Sequence, residues 1–383
     1  MKKKRSPNTS TRSRSLPVPI ETVPAASTFA VPGAPGIFHA LWLFTFFIHL
    51  LCVNSVLGGS LLGALSLAAG DRRWKVAELF VSINSWAISL AITFGVAPLL
   101  FVQLLYGRFF YSATVLVAWF WLSMLVMLAA GYYLNYVAKF RFAAGKTADL
   151  AVWGAAALFL GVTAVQVAVS LLNLWPERWA AVATNPLMAF RGKEFGPRLV
   201  HFVLAALIFA GLVLAWLSVR RPPEKGDEQP FRDRATFGMR VALVAALFQI
   251  GDGLWMLGAM PRQALRLWMR QGILGVIPLL LGIVFSFVLI AFLVAAQDAS
   301  SHPKRVRHSL EVFGATMLVM VLMRHHLRDV YHDAAKMSQP VVANDEWGGA
   351  LMFLGAFVLC VGLAVYAVVR AVKDRPADGE KTA

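Results

Sequence analysis

The chain has 383 residues, 58% of them hydrophobic and only 15% charged, with a mean hydropathy of +0.66, which lies far from soluble globular usage and indicates a polytopic membrane protein. Lys+Arg 36 against Asp+Glu 20 gives a formal net charge of +16. This surplus falls in the tails and short loops, so it suits anionic lipid headgroups, and no stacking platform or basic helix for nucleic acid accompanies it. Cys52 and Cys360 lie in apolar runs and no C-x-x-C-H motif occurs, which excludes a disulfide framework and covalent haem attachment.

Residues 1–35 carry Lys2, Lys3, Lys4, Arg5, Arg12 and Arg14 among Ser, Thr and Pro, and read as a disordered basic tail. The basic cluster runs into SLPVPIETVPAAS and not into an apolar core, unlike a conventional cleaved signal. Residues 36–373 read as an all-α membrane domain, and 374–383 as a C-terminal tail. Nine apolar spans are expected, at roughly 37–68, 76–106, 109–138, 149–174, 198–219, 236–258, 270–296, 308–328 and 347–372, each long enough to cross a hydrocarbon core of about 30 Å. Gly58 and Gly59 are candidates for a bend in the first span. Trp175 and Trp179, in the connection between the fourth and fifth spans, read as interfacial anchors, and a short turn around Met260–Leu265 joins the sixth and seventh.

In a nine-span chain the starts of odd spans and the ends of even spans share one membrane face, here termed the first face. His39, His201, Asp252, Met269, Arg270, Arg324, His325 and His326 fall near it, with His49 deeper and His332 in a loop, whereas His302 and His308 fall on the second face. Loop cations are more numerous on the second face, which the positive-inside rule assigns to the cytoplasm; the cations of the tail argue the reverse.

His201 sits in the apolar run RLVHFVLAALIFAGLVLAWLSV, where an ionisable group needs a partner. It either ligates a metal or bonds headgroups and carbonyls near a helix end. His49, about twelve residues into its span and so near mid-membrane, either ligates or hydrogen-bonds a neighbouring helix. A non-covalent b-type haem needs one or two axial ligands, usually His or Met, and cations for its propionates. His201 and His49 supply the first, Met269 is a candidate second ligand, and Arg198, Arg270 and Arg324 are placed for propionates. His325 and His326 are about 100° apart on a helix, so only one can face a given haem; the alternative for RHHLRD is a solvated helix end. An ion pair with Arg270 would neutralise Asp252. No hydrolytic-metal or nucleotide fingerprint is present.

These features resemble the first subunit of cytochrome bd quinol oxidases, a nine-helix family, across nearly all the spans. The clearest match is NPLMAFRGKEFGPRLVHFVLAALIFAGLVLAWLSV, similar to the family's Asn-Pro and Lys/Arg-x-Val-His segment, which implies that His201 binds a low-spin b haem. FIHLLCV resembles the first-helix segment and implies that His49 is a ligand in the high-spin haem region. Ile83-Asn84, Gly251-Asp252 and Arg270 also fit short family segments. The departures are specific. The family's two third-helix glutamates fall near Ala118 and Val126, the last-helix glutamate is missing, the axial methionine falls near Gly272 with Met269 as an offset substitute, and the quinol loop and Gly-Arg-Gln-Pro-Trp stretch have no counterpart.

The expectation is therefore a bacterial inner-membrane, multi-pass, b-type cytochrome-like subunit that carries electrons between the quinone pool and a partner such as a c-type cytochrome or another membrane subunit, and does not reduce oxygen. The alternatives are a haem-free scaffold or anchor subunit and a transporter, although no pair of broken spans in matching halves supports the latter.

Overall fold

The computed structural model describes residues 30–70, 74–220, 228–299, 302–335, 341, 343–344 and 347–373. The helices are α1 (Pro35–Ala68), α2 (Trp74–Leu116), α3 (Ala118–Ala143), α4 (Asp149–Leu174), α5 (Trp179–Thr184), α6 (Phe195–Arg220), α7 (Glu228–Ala259), α8 (Arg262–Arg270), α9 (Gly272–Ala295), α10 (Pro303–Ala334) and α11 (Trp347–Lys373). Eight of them, α1 to α4, α6, α7, α9 and α10, are long and apolar enough to cross a membrane. The apolar part of α11, Trp347–Leu363, is shorter. Large apolar side chains such as Trp119, Val126 and Leu150 stand outside the bundle, as a lipid-facing surface requires. The chain is an all-α, multi-pass membrane protein.

Local chemistry sets the ends. Pro35 and Pro303 occupy first-turn positions, where a missing N–H costs nothing. The end of α3 is a Schellman closure in which Lys146 N–H donates to Arg141 O and Gly145 N–H to Phe142 O, with Gly145 at φ 67°.

Five expectations are corrected. The second span does not stop at residue 106: Tyr106 takes a non-helical conformation (φ −133°, ψ 27°) and the helix resumes to Leu116. At about 1.5 Å per residue these 43 residues span roughly 65 Å, twice a hydrocarbon core, so the kink redirects the chain. The turn at Met260–Leu265 is the start of a separate helix, α8, whose Ala264 and Trp268 are buried while its cations face outward; Gly272 (φ 70°) turns it into α9. The eighth span does not end at 328 but continues to Ala334, so RHHLRDVYH is helical and largely inward-facing. Gly58 and Gly59 do not interrupt α1; they let other helices approach it. Finally, Val31–Pro32 of the expected tail form a short strand, β1, parallel to β2 (Ala343–Asn344). Residues 1–29, the loop at 221–227 and the tail at 374–383 lie outside the described residues.

The helices pair as sequential hairpins, α1 with α2, α3 with α4, α6 with α7 and α9 with α10, and α1 also packs on α4, α6 and α10. Glycine makes the closest crossings possible. A Cβ on Gly58 would lie 1.9 Å from Ala206 O, and one on Gly211 2.5 Å from Gly238 O. In lipid no hydrophobic force drives helices together, so such close backbone packing has to hold them.

Candidate functional site

His201, on the second turn of α6, meets α7. Its Nδ1 lies 2.8 Å from Asp252 Oδ2 and 2.8 Å from Gln249 Nε2, and Gln249 Nε2 also donates to the His201 carbonyl at 3.3 Å. Gln249 and Asp252 are three apart, hence on one face of α7. The Asp252 side chain is 3% exposed and that of His201 26%. Nδ1 cannot both donate to the carboxylate and accept from the Gln249 amide; paired with Asp252 it carries the proton, Gln249 Nε2 then donates to the His201 carbonyl alone, and Nε2 is the lone-pair nitrogen, with no hydrogen-bond partner among the described residues. The expected Asp252–Arg270 pair does not form. Arg270 sits on the exposed side of α8, and α8 packs mainly on α10 and α9.

His49 is built the same way from backbone. Its Nδ1 lies 2.9 Å from Ala91 O of α2, which assigns the proton to Nδ1 and leaves Nε2 unbonded. Gly95, one turn further along α2, makes the space: a Cβ there would be 2.8 Å from His49 Cε1.

Arg198 is not free for an acidic ligand. Glu194, in the connection before α6, accepts from Arg198 Nη2 at 3.1 Å, from Trp175 Nε1 at 3.0 Å and from the Tyr331 hydroxyl of α10. Trp175 and Trp179 are therefore not interfacial anchors. Both are buried, and Trp179 Nε1 donates to Leu172 O at 2.9 Å. The connection is tied down elsewhere too, since Asn185 caps a 3₁₀ turn by accepting from Leu187 N–H and Arg178 Nη2 donates to Met188 O at 2.5 Å. Burial pushes the Arg178 guanidinium down from its ordinary value, opposed by Glu194. These bonds give a structural reason for much of the Asn-Pro to Arg-x-x-His stretch.

The end of α10 gathers the remaining candidates. Arg324 Nη2 donates to Ser170 Oγ at 2.8 Å and its guanidinium lies 4.9 Å from the Phe46 ring. The His325 ring sits 5.3 Å from His39 and 5.4 Å from Trp42. His332, placed by the sequence in a loop, is inside α10, buried and stacked on Phe109 at 4.2 Å. Arg328 lies over Trp42 and Tyr106. A solvated helix end is excluded for this run. His325 Nδ1 and His326 Nε2 are buried without a partner.

Met269 is 60% exposed on α8, on a helix that does not pack chiefly against α6 or α1, so the structure does not bring it to His201. The sequence reading missed Gln249, Glu194, Tyr331, Arg328 and Tyr106. The i, i+3 pair of Gln249 and Asp252, and the i, i+4 pair of Arg324 and Arg328, were signals visible at helical spacing. Glu194 and Arg198 are likewise an i, i+4 pair, but the bonds of Glu194 to Trp175 and Tyr331 are tertiary contacts that no local pattern announces. A cleft of about 400 Å³ opens beside it, lined by Arg178, Lys193, Met260 and Arg262 among others. Neither the scan against protein-family models nor the search of curated proteins finds a match to the chain.

Proposed function

We propose that the chain is a membrane b-type cytochrome-like electron-transfer subunit that holds haem b non-covalently through His201, with His49 as the second ligand-bearing position. One observation carries this reading: two histidines on different membrane-embedded helices each have Nδ1 bound to a protein acceptor and Nε2 without a partner. This is how ligating histidines are held, their outer nitrogen fixing ring orientation and tautomer. Among the described residues no group of three or more His, Cys, Asp or Glu would hold a bare ion. Isolated histidines suit a metal that brings its own equatorial donors.

When bound, such a group supplies one-electron chemistry. The residues do the rest. Asp252 holds the His201 ring, Gln249 bonds the His201 carbonyl, Ala91 and Gly95 set the His49 ring, and the apolar bundle excludes water. Arg324 fits an acidic arm; Arg198, committed to Glu194, does not, nor does Arg270 on the outer face of α8, and Met269 on that same face is not placed as a second ligand. The reading extends to α11 as a ninth span, a bacterial inner-membrane location with the second face cytoplasmic, the cytochrome bd first-subunit fold, exchange with quinone, and a c-type cytochrome or membrane-subunit partner. Oxygen reduction is not part of it, because on the resemblance to those oxidases their third-helix glutamates fall near Ala118 and Val126, where this chain has no carboxylate. A haemochrome spectrum of the purified chain expressed with ample haem tests the proposal; absence of a Soret band defeats it.

The second reading, a haem-free scaffold, is favoured by the Trp175–Glu194–Arg198–Tyr331 network, which joins α4, α6 and α10 and needs no ligand. The same spectrum separates the two.

A further inference from the structure

We infer that the inward end of α10 is a binding site for an oxyanion, a carboxylate or a phosphate, taken up by Arg328 with Arg324 and His325 beside it. Arg328 is 5% exposed, and its Nε and Nη1 have no hydrogen-bond partner. Its guanidinium lies 4.6 Å from the Trp42 ring centroid and 4.3 Å from that of Tyr106. The guanidinium also hydrogen-bonds the Tyr106 hydroxyl, and the ring contacts offset some of its charge, but neither meets Nε and Nη1. Arg324, one turn earlier, has only the neutral Ser170 hydroxyl and the Phe46 ring. His325 adds a third unpartnered polar atom, Nδ1, between His39 and Trp42.

Among the described residues no carboxylate forms a hydrogen bond or ion pair with Arg324 or Arg328, and Asp329 reaches Arg328 only through its charge. Glu194 is occupied by Arg198, Trp175 and Tyr331, and Asp329, next in the chain to Arg328, lies on the exposed side of α10. Val31, Phe38, Trp42, Phe101 and Leu105 pack as an apolar layer beside the cluster, next to the β1–β2 pair. A water molecule could accept from Arg328 but would neutralise neither arginine; an oxyanion does both. Its source is either an amphiphile held in the bundle by an acidic head or arm, or a free anion from water. The inference holds without haem: an acidic adduct whose mass is not that of haem, or a phosphate response in haem-free protein, carries it.

Both sources are tested on full-length protein in mild detergent, comparing wild type with Arg328→Gln. Native mass spectrometry reads a retained amphiphile: one acidic adduct per wild-type chain, lost from Arg328→Gln, supports the first source. On delipidated protein, thermal unfolding in inorganic phosphate against chloride at equal ionic strength reads the second. There the wild type should gain stability, with the apparent phosphate affinity at least about tenfold weaker in Arg328→Gln, the loss expected for a charge-assisted hydrogen bond. If Arg328→Gln does not fold, Arg328→Lys, which keeps the charge but not the planar fork, must show a weakened response. A wild type with neither an adduct nor a phosphate response, or a response that the variant shares in full, overturns the inference.

Discussion

Replacing Glu194 by Gln isolates the electrostatic contribution of the clamp that joins α4, α6 and α10. The amide keeps the shape of the carboxylate and can still accept one hydrogen bond, from Trp175 Nε1 or the Tyr331 hydroxyl, but it no longer neutralises Arg198, whose side chain is 13% exposed. Two magnitudes compete. A hydrogen bond inside a membrane protein contributes on average only about 0.6 kcal/mol, whereas removing one partner of a buried ion pair costs about 3–5 kcal/mol because the other charge is stranded. The charge dominates, so the expected loss is about 3 kcal/mol, a large fraction of the roughly 5–15 kcal/mol that holds a typical folded domain. Denaturant unfolding in detergent micelles, followed by tryptophan fluorescence, measures it, with Trp175 as the local reporter. Glu177→Gln, at an exposed site, is the control and should stay within about 0.5 kcal/mol of wild type. Adding Arg198→Met to Glu194→Gln should recover part of the loss, since no charge is then stranded. A loss below about 1 kcal/mol for Glu194→Gln, or no recovery in the double variant, would refute the clamp.

Three further outcomes follow from the geometry. Gly58→Val places its Cβ where Ala206 O is 1.9 Å away, so α1 and α6 must separate and the yield of folded protein should fall sharply, whereas Gly253→Ala, with nothing within 4 Å, should express as wild type. Gly95→Ala should push the His49 ring off its Ala91 bond, because the new methyl would sit 2.8 Å from Cε1; in haem-loaded protein this should alter the spectrum without removing the His201-bound signal. Asp252→Asn should weaken haem retention by about 10–100-fold in a haem-transfer assay, the range for loss of an outer partner of a metal-binding histidine; retention equal to wild type would show that Asp252 does not orient the ligand.

Eight of the expected spans were legible because an apolar run of bilayer length needs no tertiary information, and α4 falls on the expected residues, Asp149–Leu174. What failed was the reading of polar residues near span ends. Trp175 and Trp179 have the composition of a membrane–water belt, but an indole N–H is as well satisfied by Glu194 or a carbonyl inside the fold, and only packing decides. The RHHLRDVYH run has the charge of a solvated terminus. It is buried because rings on α1 and α2 cover Arg328 and His332, partners far away in the chain. His201 was recognised as needing a partner, and the carboxylate that meets it was visible too, but the sequence alone paired Asp252 with Arg270. Spacing could place both cation and imidazole on the same membrane face, and it could not choose between them.

Whether His201 presents Nε2 to a haem iron is read from the pyridine haemochrome of the purified full-length chain beside His201→Ala and His308→Ala. His308 pairs with Glu311 on the exposed surface and controls for loss of a histidine alone. A b-type spectrum is expected in wild type, retained in His308→Ala and largely lost in His201→Ala. A wild type without a Soret band would contradict haem binding, and a full spectrum surviving in His201→Ala would contradict the assignment of that ligand.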